Sequence, residues 1–438
     1  MDHHVKGTHF MRNFTKSEAY LERASKTIPL GSQTFSKSRT QYPVGVSPLA
    51  LARGKGSHVW DVDGNEYIDF VSSQCAVTIG YCDPEIDAAV AEQMKSGVIL
   101  SLPHPIEADV AELICEIVPC AEMVRFGKNG SDATSGCIRL ARAFTGRDHV
   151  AVCGYHGWQD WYIGSTARNL GVPKATQALT HAFAYNDLTS LEALFADMPG
   201  QIAAVILEPM NVAFPAPGFL EGLREICTRE GAVLVFDETI TGFRYANGGA
   251  QELFGVTPDL SSFGKGLANG YPVSAVAGRR DIMMLMEEIF FSFTFGGETL
   301  SLVAAKATLE KLKREPVVAG IATKGQRIID DLNALIAEHD LADVFGVCGH
   351  PSWSFLTMAD ARGVSGFEIK TLMMQEFHQR GILSYGTHNV NHAHSSADID
   401  ALMAAYGEIL TIVADALGKG DLLDRLRCAP LIPLFRLR

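Results

Sequence analysis

The chain predicts an α/β fold, an open and mostly parallel sheet with helices on both faces, joined by a smaller α+β lobe. Three observations carry that expectation. Short apolar runs, "HVAVC" (149–153), "AAVIL" (203–207), "AVLVF" (232–236), "LSSF" (260–263) and "SAVA" (274–277), read as strands buried on both faces. Helix-period segments separate them, the spacing that parallel crossovers require. A length of 438 residues with 47% hydrophobic content exceeds what one compact domain usually holds, so two lobes are expected.

In chain order, "TKSEAYLERASKTI" opens at Thr15 with Glu18 three residues on, a capping-box pattern, and Ala19, Tyr20, Ala24 and Ile28 share one helix face. "GSHVWDVDGNEYIDF" reads as two strands about the Asp63–Gly64 turn. From about Ile86 helices alternate with the five apolar runs, and after Gly320 helical patterns return with short strands such as "GILSY" (381–385). Residues 1–70 are expected to join the small lobe, 71–320 to form the large domain, and 321–438 the C-terminal small domain.

Composition narrows the function classes. A net charge of −13, spread along the chain, argues against nucleic acid or an anionic membrane as the main partner and favours a small molecule. No apolar run nears the roughly 20 residues of a membrane span, and no secretory signal opens the chain, so a cytoplasmic setting is expected. Nine cysteines without a CxxC pair read as reduced, mostly buried thiols, which disfavours disulfides and zinc. The opening "MDHHVKGTH" reads as a flexible leader or expression remnant and is given no metal.

In an open parallel sheet, ligands meet the carboxyl ends of the strands. There the polar residues collect: Gly154, Tyr155 and His156 after "HVAVC", Glu208 and Asn211 after "AAVIL", Asp237 and Glu238 after "AVLVF", Gly264 and Lys265 after "LSSF". Asp237 ends an apolar strand, where a carboxylate is costly unless a cation or several donors meet it. A helix cap or a salt bridge to Arg244 is the plain alternative. Lys265 stands alone in "SSFGKGLANGYPVSAVAG", with no other charge before Arg279. A cofactor with a protonatable ring nitrogen on one side and an aldehyde on the other meets both residues, and pyridoxal 5'-phosphate has that layout. Its phosphate has a place at Gly130 and Ser131, which precede a helical pattern whose amides and dipole favour an anion.

The ordered motifs "NGSDAT", "YHGW", "LEPM", "FDETITGFR", "FGKGLANGYPVSA" and "TFGGETLSLVAA" resemble the class III aminotransferases of pyridoxal-phosphate fold type I, the aspartate aminotransferase-like fold. Within them the pattern is most similar to glutamate-1-semialdehyde aminomutase, over roughly residues 15–410. The resemblance implies Lys265 as the Schiff-base lysine and Asp237 as partner of the ring nitrogen. It implies Tyr155 as the ring-stacking aromatic beside His156, and Gly130 and Ser131, flanked by Asn129 and Asp132, as the phosphate loop. Glu208 matches a glutamate near the cofactor, Asn211 stands where many relatives keep a glutamine, and Thr239 replaces a valine packed on the ring. Thr294 matches a threonine that a partner subunit lends to the phosphate, which implies a homodimer with shared sites. The family's usual "GNP" is here Gly297-Glu298-Thr299.

Substrate residues are less legible. The aminomutase motif "GGVNSPVR" ends in a carboxylate-gripping arginine, where this chain has "GSQTFSKS" and Ser38, with Lys37 beside it. Gln33, Ser36, Lys37, Gln74, His388 and Asn389 are the expected lining of a pocket for a polar, possibly sugar-derived, aldehyde or ketone. An aminotransferase working in ping-pong fashion on amine and carbonyl substrates is the leading reading. An aminomutase or other pyridoxal-phosphate isomerase keeps every cofactor residue, and a non-catalytic α/β binding protein needs no Lys265.

Overall fold

The computed structural model describes residues 12–433; the histidine-containing opening segment lies outside them. Near the N-terminus β1 (Leu51–Lys55), β2 (His58–Asp61) and β3 (Glu66–Asp69) form an antiparallel ladder whose hairpin turns at Asp63–Gly64 as the sequence predicts. The helix Thr15–Ser25 forms, but not by the expected capping box. Its first amides are met from outside: Asn13 Oδ1 accepts from Thr15 N–H at 2.9 Å, and the Asp63 carboxylate accepts from Lys16 and Ser17 N–H at 2.7 and 2.9 Å. The hairpin turn therefore caps the helix.

The large sheet contains β4 (Met123–Gly127), β5 (His149–Cys153), β6 (Thr180–Ala182), β7 (Ile202–Leu207), β8 (Val233–Asp237), β9 (Leu260–Phe263) and β10 (Ser274–Gly278). Its order is β4-β10-β9-β8-β7-β5-β6, and only β10 runs against its neighbours. Alternate residues of one strand enter different cores. Val233 and Val235 pack on one face with Ile138 and Leu140 of the helix Gly130–Thr145, while Leu234 and Phe236 pack on the other with Leu223 and Ile226 of the helix Phe219–Glu230. Both faces are apolar, which is why these strands read as unbroken hydrophobic runs.

β11 (Phe345–His350), β12 (Trp353–Met358), β13 (Ile382–Leu383) and β14 (Thr387–His388) complete the strands. β13 pairs in parallel with β3, Ile382 beside Ile68, so the N-terminal ladder and the C-terminal part of the chain share one sheet, while β14 pairs with β12 in another. Among the described residues one helix, Ser396–Lys419, is long and apolar enough to cross a membrane, a feature the sequence reading passed over. Ile399, Leu402, Tyr406, Ile409 and Val413 of that helix lie in the main hydrophobic core. All nine cysteines are free; four are buried, fewer than expected.

The main cores also hold histidines that burial keeps uncharged. Burial pulls His388 down to about 3, and His378 and His394 to about 4. An unfolded histidine takes up its proton near 6.5, so between these values the unfolded chain binds more protons. Stability is then present above about pH 6.5 and lost as pH falls towards 4. At pH 5 each such histidine costs about 2 kcal/mol. The thermal midpoint should therefore drop by several degrees between pH 7.5 and pH 5.0. Equal midpoints at the two pH values would contradict the buried neutral rings.

Candidate active site

The carboxyl ends of β5, β7, β8 and β9, neighbours in the sheet, bring His156, Glu208, Asp237 and Lys265 to one edge. Asp237 is 5% exposed and saturated with donors. Its Oδ1 accepts from Thr239 N–H at 3.1 Å, Thr239 Oγ1 at 2.6 Å and Ser262 Oγ at 2.9 Å, and its Oδ2 lies 2.9 Å from His156 Nδ1. Burial by itself would raise this carboxyl, but the His156 ring and the Thr239 donors outweigh it and hold it below the usual carboxylate range. Arg244 takes no part, so the salt bridge weighed as an alternative is not formed; its guanidinium serves other acceptors. His156 Nε2 faces Cys153 O at 3.1 Å, which fixes the ring between strand end and carboxylate.

Glu208 accepts from Asn211 Nδ2 at 2.9 Å and Tyr155 N–H at 3.3 Å. Burial, then the Asp237 charge, raises its carboxyl, while His156 and the two donors pull the other way. Asn211 thus spends its amide donor on Glu208. Tyr155 is half exposed, its ring edge-on to Tyr162 at 5.6 Å, and its phenol is raised by burial and by the Asp237 and Glu208 charges.

At the loop before the helix Gly130–Thr145, Asp132 Oδ2 accepts from Asn129 N–H at 2.8 Å and Lys128 N–H at 3.1 Å. The Gly130 and Ser131 amides have no acceptor among the described residues. A Cβ on Gly130 would meet Thr239 Cγ2 at 2.9 Å, so glycine is what lets the loop close on the Asp237 turn. Thr294 is exposed on the loop ahead of Glu298, whose carboxylate pairs with Lys128 at 3.0 Å. Burial, opposed by bonds from Ser301 and Lys128, leaves Glu298 below its usual value.

Lys265 follows β9 at φ 43°, a left-handed conformation for a non-glycine residue. Its ammonium makes no hydrogen bond or ion pair with the described residues, and burial, with a further push from Arg244, lowers its pKa. Cys75, Glu208 and Asp237 pull the other way.

Of the expected substrate residues, Lys37 and Gln74 line a cleft of about 280 Å³ with Tyr42, Asp69, Ser73 and Tyr81. Lys37 Nζ lies 3.4 Å from Ser73 Oγ. Gln74 accepts from Tyr385 OH at 2.7 Å while its Nε2 is buried without a partner. Gln33 is exposed and Ser36 half-buried on the adjoining turn, outside that lining. His388 does not line the cleft: its ring is taken up by Ser354 Oγ at 2.9 Å and Tyr406 OH at 2.6 Å, inside the core. Asn389 is buried and donates to Val71 O at 2.7 Å, supporting the cleft wall from behind. Ser38, read as the lost arginine position, is buried with its hydroxyl bonded to Phe35 O at 2.8 Å and Thr40 Oγ1 at 2.7 Å, and Lys37 is the residue at the cleft.

The reading from sequence missed Asp69, Tyr42, Tyr81 and Tyr385. Asp69 ends β3 as Asp237 ends β8, but the strand Glu66-Tyr67-Ile68 before it is not an apolar run, so the carboxylate did not stand out; it is held by Tyr81 OH at 2.7 Å and Val71 N–H at 2.8 Å.

Residues 41–396 match the family model described as aminotransferase class-III, and the chain belongs to that family. It is 38% identical over 331 residues to the 3-aminobutyryl-CoA aminotransferase of Cloacimonas acidaminovorans (strain Evry), covering 74% of this chain and 79% of the relative. Among solved structures it resembles a PLP form of the FumI protein of Sphingopyxis sp. MTA144, at TM-score 0.86 and 29% identity, over 92% of this chain and 98% of the other. It also resembles a β-phenylalanine aminotransferase from Variovorax paradoxus, at TM-score 0.81 and 29% identity, over 92% and 95% of the two chains.

The protein is accordingly a pyridoxal-phosphate-dependent transaminase, and its residues fit that cofactor. Two free amides stand at a helix N-terminus, Asp237 Oδ2 keeps a lone pair open, and a half-buried amine lies without a partner. Bound there, pyridoxal phosphate supplies an aldehyde that exchanges between amines and a ring that withdraws electrons from the reacting carbon. Gly130 and Ser131 would hold the phosphate, Asp237 the ring nitrogen, and Lys265 Nζ the aldehyde carbon.

Lys265→Ala should lower turnover by about 10³-fold or more, since one amine serves as both nucleophile and proton carrier. Borohydride reduction of the loaded wild-type protein should leave the cofactor label on the Lys265 peptide. Label on another lysine would sink the assignment.

Proposed function

We propose that the chain moves an amino group to or from a polar, hydroxylated aldehyde or ketone, of the kind derived from sugars. The observation carrying this reading is the cleft lining. Lys37 is the only cation on it, and the hydroxyl, phenol and amide groups of Ser32, Tyr42, Ser73, Gln74 and Tyr81 supply the remaining polar contacts beside Asp69. A site gripping a carboxylate gains most from the bidentate fork of an arginine, and a lysine gives only a point charge. Aromatic rings with hydroxyl and amide partners suit a neutral, oxygen-rich substrate instead.

In this reading Lys265 Nζ, whose pKa burial lowers, takes the proton from the substrate carbon and returns it at the neighbouring position. Asp237 stays ionised so that the ring nitrogen opposite keeps its proton. Tyr155 covers the site from solvent, and Gln74 Nε2 offers a substrate oxygen its unspent donor.

A second reading, favoured by the 3-aminobutyryl-CoA and β-phenylalanine enzymes it resembles, is a β-amino acid or β-amino acyl donor. In that case Lys37 meets the acyl end. Amines should be screened for loss of the yellow aldehyde absorbance with release of free carbonyl product. Amino sugars are expected to react faster than 3-aminobutyrate or its CoA thioester. The opposite order favours the second reading, and isomerisation of glutamate-1-semialdehyde without an added donor would make the enzyme an aminomutase.

We also propose a homodimer with shared sites. The segment about Thr294 supports it: Phe290, Phe295 and Leu102 are 83%, 56% and 79% exposed. Thr299 N–H donates to Val98 O at 2.9 Å, so the segment that carries Leu102 meets the end of the loop that carries Phe295. Large apolar side chains left this open to water are costly, and a partner surface is what would cover them. Subunit exchange between inactive Thr294→Ala and Lys265→Ala proteins should restore one intact site per mixed dimer, roughly a quarter of wild-type activity if exchange is random. No recovery after proven exchange counts against sharing.

A further inference from the structure

Arg244 is 1% exposed and meets no carboxylate among the described residues. Its Nη1 donates to Ser352 O at 3.0 Å and Val390 O at 2.9 Å, its Nη2 to Thr78 Oγ1 at 3.3 Å, and its Nε is buried without a partner. Every acceptor is neutral. A cation buried without an anion costs several kcal/mol, so the fold gives up stability to keep this charge where it is.

Its place in the fold gives the charge a use. The preceding residue, Phe243, packs its ring 5.3 Å from that of Phe263, the last residue of β9, two residues before Lys265. Thr78, which Arg244 holds, closes the other side: a Cβ on Gly266 would lie 2.6 Å from Thr78 Oγ1. Lys265 stands between these two contacts in its left-handed conformation, φ 43°. Such a backbone is strained for a residue other than glycine and persists only where neighbours fix it.

The charged and titratable groups facing the lysine are Cys75, Glu208, Asp237 and Arg244. The thiol and the two carboxyl groups favour the ammonium form. Burial opposes it, and Arg244 is the one facing charge that does so as well. We propose that Arg244 is a positioning residue for Lys265: through Thr78 it pins the lysine's turn, and its unpaired charge repels a proton from the amine. The inference rests on Lys265 being the reactive amine. Its test reads that amine directly, so it fails separately from the assignment of the lysine.

Full-length protein without cofactor is treated with limiting acetic anhydride across pH, and acetylation of the Lys265 peptide is followed by mass spectrometry. Lys26, with a side chain 70% exposed, is the internal reference. In the wild type Lys265 should reach half its limiting rate below the pH at which Lys26 does. Arg244→Gln, which removes the charge but keeps donors, should raise that midpoint, and the rate at neutral pH falls about tenfold for each unit it rises. Arg244→Lys should stay near the wild-type midpoint. A purely structural arginine would lower the melting temperature in both variants and move neither midpoint. A wild-type midpoint in Arg244→Gln, or equal shifts in both variants, overturns the proposal. If Arg244→Gln does not fold, Thr78→Val decides the pinning role: the Lys265 rate should fall at every pH with its midpoint unmoved, and a wild-type rate overturns it.

Discussion

Asp237 ends β8, in the middle of the large sheet, with its charge shut away from water and four donors closed around it. Hydrogen bonds to a charged group contribute about 1.5–3 kcal/mol each, and burying a carboxylate costs several kcal/mol. Four such bonds are enough to tip the balance, which is why the carboxyl ends below its usual value despite burial. The donors come from three strand ends. Ser262 is the last residue but one of β9, Thr239 follows β8, and His156 follows β5 and is itself tied back to Cys153 O. The register of the sheet and the charge of the site are therefore one constraint. A slip of one residue in β8 would turn Asp237 to the opposite face and leave a buried charge unpaired.

The same geometry explains how much of the cofactor side could be read without coordinates. The buried strands appear as unbroken apolar runs because both faces of the sheet are covered, and HVAVC and LSSF coincide with β5 and β9. A polar residue that ends such a run stands at the sheet edge by necessity, so Asp237, Glu208, His156 and Lys265 declare themselves. What the runs do not reveal is direction. β10 is as apolar as the rest yet antiparallel, because a short connection from β9 leaves no room for a crossover helix.

The substrate side was far less legible, and one backbone feature accounts for much of that. Ser72, Ser73, Gln74 and Cys75 have φ of 43°, 48°, 62° and 66°, four consecutive left-handed residues with no glycine among them. Composition gives no hint of such a turn, since each residue costs about 1–2 kcal/mol there. The turn is imposed by distant groups. Asp69 takes Val71 and Ser72 N–H, Asn389 Nδ2 bonds Val71 O, Ser72 Oγ bonds Asn389 O at 2.7 Å, and Asn391 Nδ2 bonds Ser72 Oγ at 3.1 Å. The polar segment 388–391 looked like pocket lining because it carries hydrogen-bonding side chains. Those groups are spent inward, on the turn and on Tyr406.

The clamp also decides what the turn displays. With Ser72 tied down and Cys75 buried against the lysine's surroundings, Ser73 and Gln74 are left facing the cleft. One side of a four-residue segment thus faces the cleft, and the other lies close enough to Lys265 to act on its charge. Its shape is held by residues more than 300 positions away in the chain. The shape of this cleft wall is consequently set by the packing of the C-terminal segment behind it as much as by the side chains that face the cleft. Asn389 and Asn391 thus shape the cleft without lining it, which is why side-chain chemistry alone placed the 388–391 segment on the wrong side of the wall.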